Sequence, residues 1–543
     1  MDGWRRVAVM MWLSAAAGCA PSDSPGQDDS GPDAPQVSGR VIDEDGRGVA
    51  DAVVTFGHPP SGRRFTVYAD DEGRWRADGL PADTLLLEAR GPDAEATARA
   101  VRRGPPAELG GTLTLGPAHA DDEPRAADYL AQLPDGPRKN RIIVDCGGCH
   151  TFSSIHARVE GRLRTEAEWS APIQLMLSFS GQGTGFPIIS GAADAAADAR
   201  WLTQALAGAG APVPSRLPEA VRVATGARLT EYDVPEPMDL PHDVAVAPDG
   251  RILVTGMMTH RMYLLDPGTG AWETEAIPAD FANPRAVDVD ASGRWIVALG
   301  APRSVAVRDA GGAWSIHPVG LYPHSVALDD SGGVWVNGHF SADPEIIARL
   351  DLDDGSIARY EVPSAHGPDD RPGESTIPYG LRVDASGVVW GTQLRGNRLV
   401  RLDPADGAVR TWTLPTPHSG PRRPDPAPDG SIWIPQFGSG TLARFDPASE
   451  RFEEIPLPLD DTGPYVVRVD QTRGTVWLGT GHGDLVLALD PETRAFTAYP
   501  LPTRGALIRH LDIDEATGSV WVAYGASPGI AARILRIEPR LEP

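Results

Sequence analysis

Cysteine is nearly missing from this chain, with three in 543 residues, at positions 19, 146 and 149. So few thiols exclude a disulfide-stapled framework and cannot complete a cysteine-rich zinc site. Basic residues are also short: 49 Lys and Arg face 74 Asp and Glu, a formal net charge of -25. That field repels nucleic-acid backbones and anionic lipid surfaces, so no nucleic-acid partner is expected. Long apolar runs are absent too. Val7 to Ala17 is too short to cross a bilayer as a mature helix. What is plentiful is Gly (60) and Pro (52), with Trp (14) ahead of both Phe and Tyr. This mixture favours short strands and tight turns over helical bundles. At about 150 residues per domain the length implies three or four units.

Arg5 and Arg6 precede the apolar run, which closes on Ala15-Ala16-Ala17-Gly18-Cys19. This end resembles a bacterial lipobox. The resemblance implies a signal peptide over 1–19, cleaved before a lipidated Cys19; a plain signal peptide is the alternative. Ala20, in place of the Asp of inner-membrane retention, favours the outer membrane. Residues 20–35 read as a disordered tether. A cell-envelope location is expected, with the folded domains in the periplasm or at the surface and membrane contact through the lipid alone.

Residues 36–117 alternate apolar and polar positions between Asp-Gly and Glu-Gly turns, the pattern of a small β-sandwich. Gly39-Arg40-Val41, the run from Gly48 to Val54 and Asp71-Glu72-Gly73-Arg74-Trp75 resemble the carboxypeptidase regulatory-like domain, a carbohydrate-binding-like fold. No catalytic constellation occurs here, and a spacer or weak binding module is expected.

Residues 120–213 carry Cys146-Gly147-Gly148-Cys149-His150, which matches the attachment pattern of haem c. Cys146 and Cys149 would bond the two haem vinyl groups, and His150 would reach the iron. A thioredoxin-like pair lacks its βαβ surroundings. Downstream, Glu168-Trp169 and Met176 resemble the later half of class I cytochromes c, which implies a small α-helical cytochrome c-like domain. Met176 is the expected sixth ligand, His156 the alternative, and an open site a third reading.

From 218 to 543 the sequence repeats. His242 to Val254, His324 to Val336 and Tyr379 to Trp390 share one template. Its turn glycines are Gly250, Gly293, Gly332, Gly387, Gly430, Gly474 and Gly518, spaced 43, 39, 55, 43, 44 and 44 residues apart. Spacings near the ~40–45 residues of a four-stranded blade indicate a seven-bladed β-propeller. The chain ends after a third strand, so 229–235 is expected to supply the missing outer strand of the seventh blade and remove its open edge. The long third interval places an insert at Ser364 to Thr376, a lid or a plain loop. The expected fold is multidomain and mainly β: sandwich, small helical haem domain, propeller.

The phrases Ala427 to Trp433 and Asn397 to Pro404 resemble the streptogramin lyase (virginiamycin B lyase) family of propellers. That resemblance implies metal-dependent elimination with Glu and His near the channel mouth. Here the positions after the Trp strand hold Thr255-Gly256, Asn337-Gly338, Thr392-Gln393, Pro435-Gln436 and Gly479-Thr480 instead of Glu. A base and a leaving-group stabiliser are not assembled, the catalytic residues remain unknown, and a divalent metal is unsupported. Equivalent positions before the turn glycines hold His242, Arg285, His324, Tyr379, Arg422, Tyr465 and Arg509. They are expected to ring one channel mouth and attract an anionic or aromatic small molecule, unless they only hydrate the channel. His339, Gln393 and Gln436 would add polar contacts. The leading expectation is an envelope electron-transfer protein whose propeller binds a substrate or a redox partner protein. A metal-dependent lyase and a non-catalytic surface binding protein are the rivals.

Overall fold

A computed structural model describes residues 36–91, 99–116, 124–178, 194–339, 344–364, 376–526 and 530–539. The signal peptide, Cys19 and the tether lie outside the described residues, as does most of the 364–376 insert. The described chain is mainly β.

Seven sheets repeat one plan: five have four strands, a sixth adds Arg222–Val223 to its outer edge, and the seventh continues beyond the ring. Their inner strands are Pro241–Val246, Pro284–Val289, Pro323–Leu328, Pro378–Val383, Asp425–Pro426, Pro464–Val469 and Ile508–Asp514. Each inner strand touches the next and the last touches the first, so the sheets close into a ring of propeller-like blades.

The repeat has a local cause. Asp384 accepts Ser386 N–H (2.9 Å) and Val388 N–H (3.1 Å) on one oxygen, and the Trp390 indole N–H (2.7 Å) on the other. Asp329 binds Ser331, Gly333 and Trp335 in the same way. One carboxylate thus ties a tight turn to the tryptophan of the following strand. The residue between must turn left-handed, and all seven turn glycines have φ between 75 and 83°. Faces of adjacent blades then interlock through β-branched and aromatic side chains, as where Val305, Val326, Val334 and Val336 share one cluster.

The last three strands cannot finish the seventh blade alone. Arg228–Asp233 pairs antiparallel with Ile530–Glu538, with Leu229 opposite Ile537, and supplies the outer strand. Its other edge pairs with Arg63–Tyr68 of the N-terminal sandwich, Leu229 opposite Thr66 and Tyr232 opposite Arg63. One eight-stranded sheet therefore runs from the channel to the sandwich edge Arg99–Gly104. Arg64 clasps Asp233 across the seam at 2.9 Å. Val53 and Tyr68 of the sandwich enter the same core cluster as Leu229, Leu511 and Leu535. The second sandwich sheet sets Val37–Ile42 between Arg74–Ala77 and Gly111–Thr114.

Between the two β units lies a small helical one, with helices Ala126–Leu130, Pro137–Cys146, Ser154–Ala157, Glu166–Ser178 and Ala195–Ala205. Leu130, Ile142, Ile143, Val144, Trp169 and Leu202 share one core with Ile377, Tyr379, Leu394, Phe437, Tyr465 and Leu507 of the propeller. The helical unit is seated on one end of the ring.

Deleting 36–115 should leave the propeller's sheet signal in circular dichroism while baring the edge of Arg228–Asp233. Concentration-dependent association in light scattering is the expected result, and the full chain should show none.

Candidate functional site

The seven ring positions come together. Six are the second residue of their inner strands, and Arg422 follows Pro421, which bridges to Gln436. In those six strands the pairing register shifts at this point, between Pro241 and Val244, Pro284 and Ala286, and their equivalents. A bulge re-aims one side chain per blade, here toward the axis. His242 meets His324 edge to face (5.2 Å between centroids), and His324 meets Tyr379 at 4.3 Å. Tyr379 and Tyr465 join hydroxyl to hydroxyl, and Arg422 donates to the Tyr379 hydroxyl.

This mouth is not open to solvent. All seven residues are buried, and the 146–150 segment lies against the ring at Arg509. Arg509 donates to the Cys149 carbonyl at 2.8 Å, and the His482 ring lies 3.1 Å from the Gly147 carbonyl. Helix Pro137–Cys146 is anchored at both ends by buried ion pairs, Lys139 to Asp461 (2.6 Å) and Asp145 to Arg395 (3.0 Å). Gly420 and Gly438 let it approach: a Cβ on either would fall 2.5 and 2.7 Å from the Val144 methyl. Gly147 in the motif is explained likewise, since its Cβ would lie 2.8 Å from the His482 ring. The expectation of a ring facing a diffusing ligand is corrected here: apolar residues of the helix cover the entrance.

Gln393 and Gln436 do not line the channel freely either. Glu345 accepts from Gln393 (2.9 Å) and Glu454 from Gln436 (2.7 Å), the first from the third strand of the preceding blade and the second from the outer strand of the same blade. His339 stacks on His324 at 4.2 Å and contacts the Pro378 carbonyl at 2.8 Å. Below the ring, Arg423 grips Asp243 through two nitrogens at 2.7 and 3.0 Å, with His242 and His510 alongside. Sequence reading missed His482, Arg395, Arg423 and His510. None sits at the repeated ring position, so periodicity had no means of finding them.

On the other side of the motif helix lies a mainly apolar cavity of about 250 Å³. Cys146, His150, His156 and Met176 all line it, between Leu130, Ile143, Trp169 and Leu202. Cys149 instead sits toward the ring, its thiol pushed up by burial against the opposing pull of Arg509, Arg422 and Arg285. Both cysteines are free thiols. The two histidines stack with centroids 4.3 Å apart and planes 10° from parallel, but they differ in which nitrogen is free. His150 Nδ1 faces the Thr151 carbonyl at 3.1 Å, and a carbonyl only accepts, so Nδ1 carries the proton and Nε2 keeps its lone pair. His156 Nδ1 accepts the Ser153 N–H at 3.2 Å, which places the proton on Nε2. Burial and the adjacent His150 push His156 down to about 4, so it is neutral at neutral pH.

One thiol of the pair, Cys146, with the His150 imidazole and the Met176 thioether on apolar walls, is a donor set of the kind haem c uses, while the Cys149 thiol faces the ring. Among the described residues no three His, Cys, Asp or Glu side chains gather as ligands of a bare metal ion.

Residues 36–115 match the family model of the carboxypeptidase regulatory-like domain. Among solved structures the chain is similar to virginiamycin B lyase from Staphylococcus aureus, at 17% identity over 57% of this chain and 99% of that one, TM-score 0.50. A streptogramin B lyase structure (18% identity, 57% and 97%, TM-score 0.49) and YCF48 bound to D1 peptide (16%, 57% and 96%, 0.46) are also similar. At these identities the likeness is one of fold. No curated protein matches the chain in sequence.

Two tests follow from this geometry. Gly438→Leu should lift helix Pro137–Cys146 from the mouth; limited proteolysis should then cut the helical unit sooner, with the propeller's sheet signal unchanged. The second is acid sensitivity. Burial pushes His242 down to about 4, against Asp243 and helped by Arg423 and Arg285. His324, His339, His482 and His510 shift the same way, each chiefly by burial. A folded pKa below the unfolded 6.5 means the unfolded chain binds more protons. Stability is then full above 6.5 and falls as pH drops toward about 4. Burial opposes ionisation of Asp243, but Arg423 and His510 hold it low, so its own contribution is lost only below its unfolded 3.8, outside this window. Unfolding free energy from denaturant titrations should fall steadily from about pH 7 to about pH 4.5, and His242→Gln should reduce that slope by about 1.4 kcal/mol per pH unit.

Proposed function

We propose that this chain is an exported, lipid-anchored c-type haem protein for electron transfer, in which a cytochrome c-like helical unit is seated on the propeller. The observation that carries the reading is the contact of His150 Nδ1 with the Thr151 carbonyl. The ring's Nδ1–H is committed to a backbone carbonyl, so a bare Nε2 is left in an apolar cavity beside Cys146. Cys146 and Cys149 would hold the haem covalently, His150 would be the proximal ligand and Met176 the distal one. His156 is the weaker distal choice, because its Nε2 carries the proton and its ring lies flat on His150. When bound, the haem would supply reversible one-electron chemistry, with a potential set by the axial pair.

The protein's own part is positional. Arg509 and His482 fix the motif loop through its carbonyls, and the Asp145–Arg395 and Lys139–Asp461 pairs hold the preceding helix. Trp169, Leu202 and Ile143 are buried and give the cavity apolar walls. The propeller then acts as the rigid seat of the haem unit and presents the remaining face to a redox partner protein. Lipidation at Cys19 would hold the assembly at the outer membrane, with the regulatory-like sandwich as spacer.

Expression with cytochrome c maturation machinery should give sharp α and β bands on dithionite reduction, with haem staining that survives denaturation. Cys149→Ala should weaken covalent retention and His150→Ala should abolish the low-spin spectrum, both with the sheet signal intact. Met176→Ala should convert the reduced spectrum to high spin, whereas His156→Ala should leave it unchanged. A full chain matured this way without covalent haem refutes the reading.

A further inference from the structure

The axis beneath the motif loop holds more positive charge than its neighbours neutralise. Asp243 is committed to Arg423. Arg509, 2% exposed, spends its bonds on two neutral carbonyls, Gly525 and Cys149, each at 2.8 Å. Arg422 is fully buried, and its one hydrogen bond goes to the Tyr379 hydroxyl through Nη1. Its Nε and Nη2 have no partner. These two atoms form one edge of the guanidinium, where two N–H bonds run side by side toward the spacing of two oxygens. The flat faces are occupied: the Arg422 carbon lies 4.0 Å from the Phe437 ring centre, 4.2 Å from Tyr465 and 4.7 Å from Tyr379. Aromatic faces stabilise the charge, but they leave the in-plane fork unsatisfied.

We propose that this fork, with Arg509 and the Tyr379 and Tyr465 hydroxyls around it, is a binding site for a small planar oxyanion of the carboxylate or nitrite type. Two donors on one edge select an anion that offers two oxygens over a spherical halide. Size is limited by packing, since a Cβ on neighbouring Gly463 would already lie 2.8 Å from His482 and 3.0 Å from Phe437. A cavity of about 520 Å³ opens at the opposite ends of the inner strands, lined by Asp288, Arg382, Asp425, Arg468 and Asp512. A space of only about 10 Å³, bounded by Asp243, Arg423 and His510, shares Arg382 with that cavity. The inference goes beyond the haem reading and holds whether or not haem is attached. Its failure therefore leaves the haem reading standing.

The test uses the full chain and sodium formate as probe, replacing chloride at constant ionic strength. Thermal midpoints should rise with formate concentration in the unaltered protein. Arg422→Lys keeps the charge but loses the fork, and should weaken apparent formate affinity at least about tenfold. Arg422→Gln should abolish the response. Should both variants fail to fold, crystals of the unaltered protein soaked in formate decide: planar density against Nε and Nη2 supports the site. A fork that stays bare or holds only water at saturating formate overturns it. So does a midpoint that is the same in formate and chloride, or that shifts equally in the Lys variant.

Discussion

The molecule depends on one strand pairing, that of Arg228–Asp233 with Ile530–Glu538. Without it the seventh sheet would end on Ile530–Glu538 with an unsatisfied edge, and the ring would be held shut only by side chains between Ile508–Asp514 and Pro241–Val246. Backbone hydrogen bonds between segments some 300 positions apart lock the circle instead, and a closed circle fixes where each inner strand begins. The ring residues sit at those beginnings, so their convergence on the axis follows from closure. The same strand carries the sandwich on its far edge, which leaves none of its own backbone exposed as a template for another chain. Glu231 illustrates the density of this junction: it is fully buried, accepts from Tyr524 and from Thr503 (2.7 Å), and lies 3.5 Å from Arg64 of the sandwich.

A second constraint is that the mouth and the helical unit share apolar surface. Phe437, Tyr465 and Leu507 would be exposed at the end of an isolated propeller, and Ile143 and Val144 would be exposed on an isolated helical unit. Packed together they account for each other. The buried ion pairs at the two ends of helix Pro137–Cys146 make the contact specific to one orientation more than they make it strong, since desolvation offsets much of their attraction. A motif loop held in that orientation has its carbonyls facing the propeller and its His150 ring facing the cavity.

Most of the β architecture was legible because it repeats. The turn glycines recur seven times, and repetition separates them from noise, while the borrowed outer strand follows from the one that the last repeat lacks. The ring positions were legible for the same reason. Their burial was not, since the contacts between helix Pro137–Cys146, its loop and the propeller, such as Val144 against glycines 420 and 438, are each made once and leave no periodic trace. The partners of Gln393 and Gln436 were hidden similarly: Glu345 and Glu454 lie on different strands of their blades and share no spacing. The choice between Met176 and His156 turns on which nitrogen of His156 accepts the Ser153 N–H, a matter of three-residue geometry that composition does not encode.

The axis of the propeller is where the chain's overall acidity is reversed. A formal charge of -25 resides mainly on surface turns such as Asp384 and Asp490, whose oxygens are taken by turn amides. Inside, burial leaves the five axial histidines neutral at neutral pH. The charge that remains there belongs to arginine, which does not titrate in any ordinary range. Asp243 is held ionised by Arg423, and the two cancel. Arg422 and Arg509 carry part of what is left over, Arg509 against the Cys149 carbonyl and Arg422 against the Tyr379 hydroxyl. A positive interior at that place is invariant to pH above the histidine range, and it lies directly under the loop on which the haem reading rests. Loop and charge are therefore set by the same closed ring, and neither can be moved without moving an inner strand.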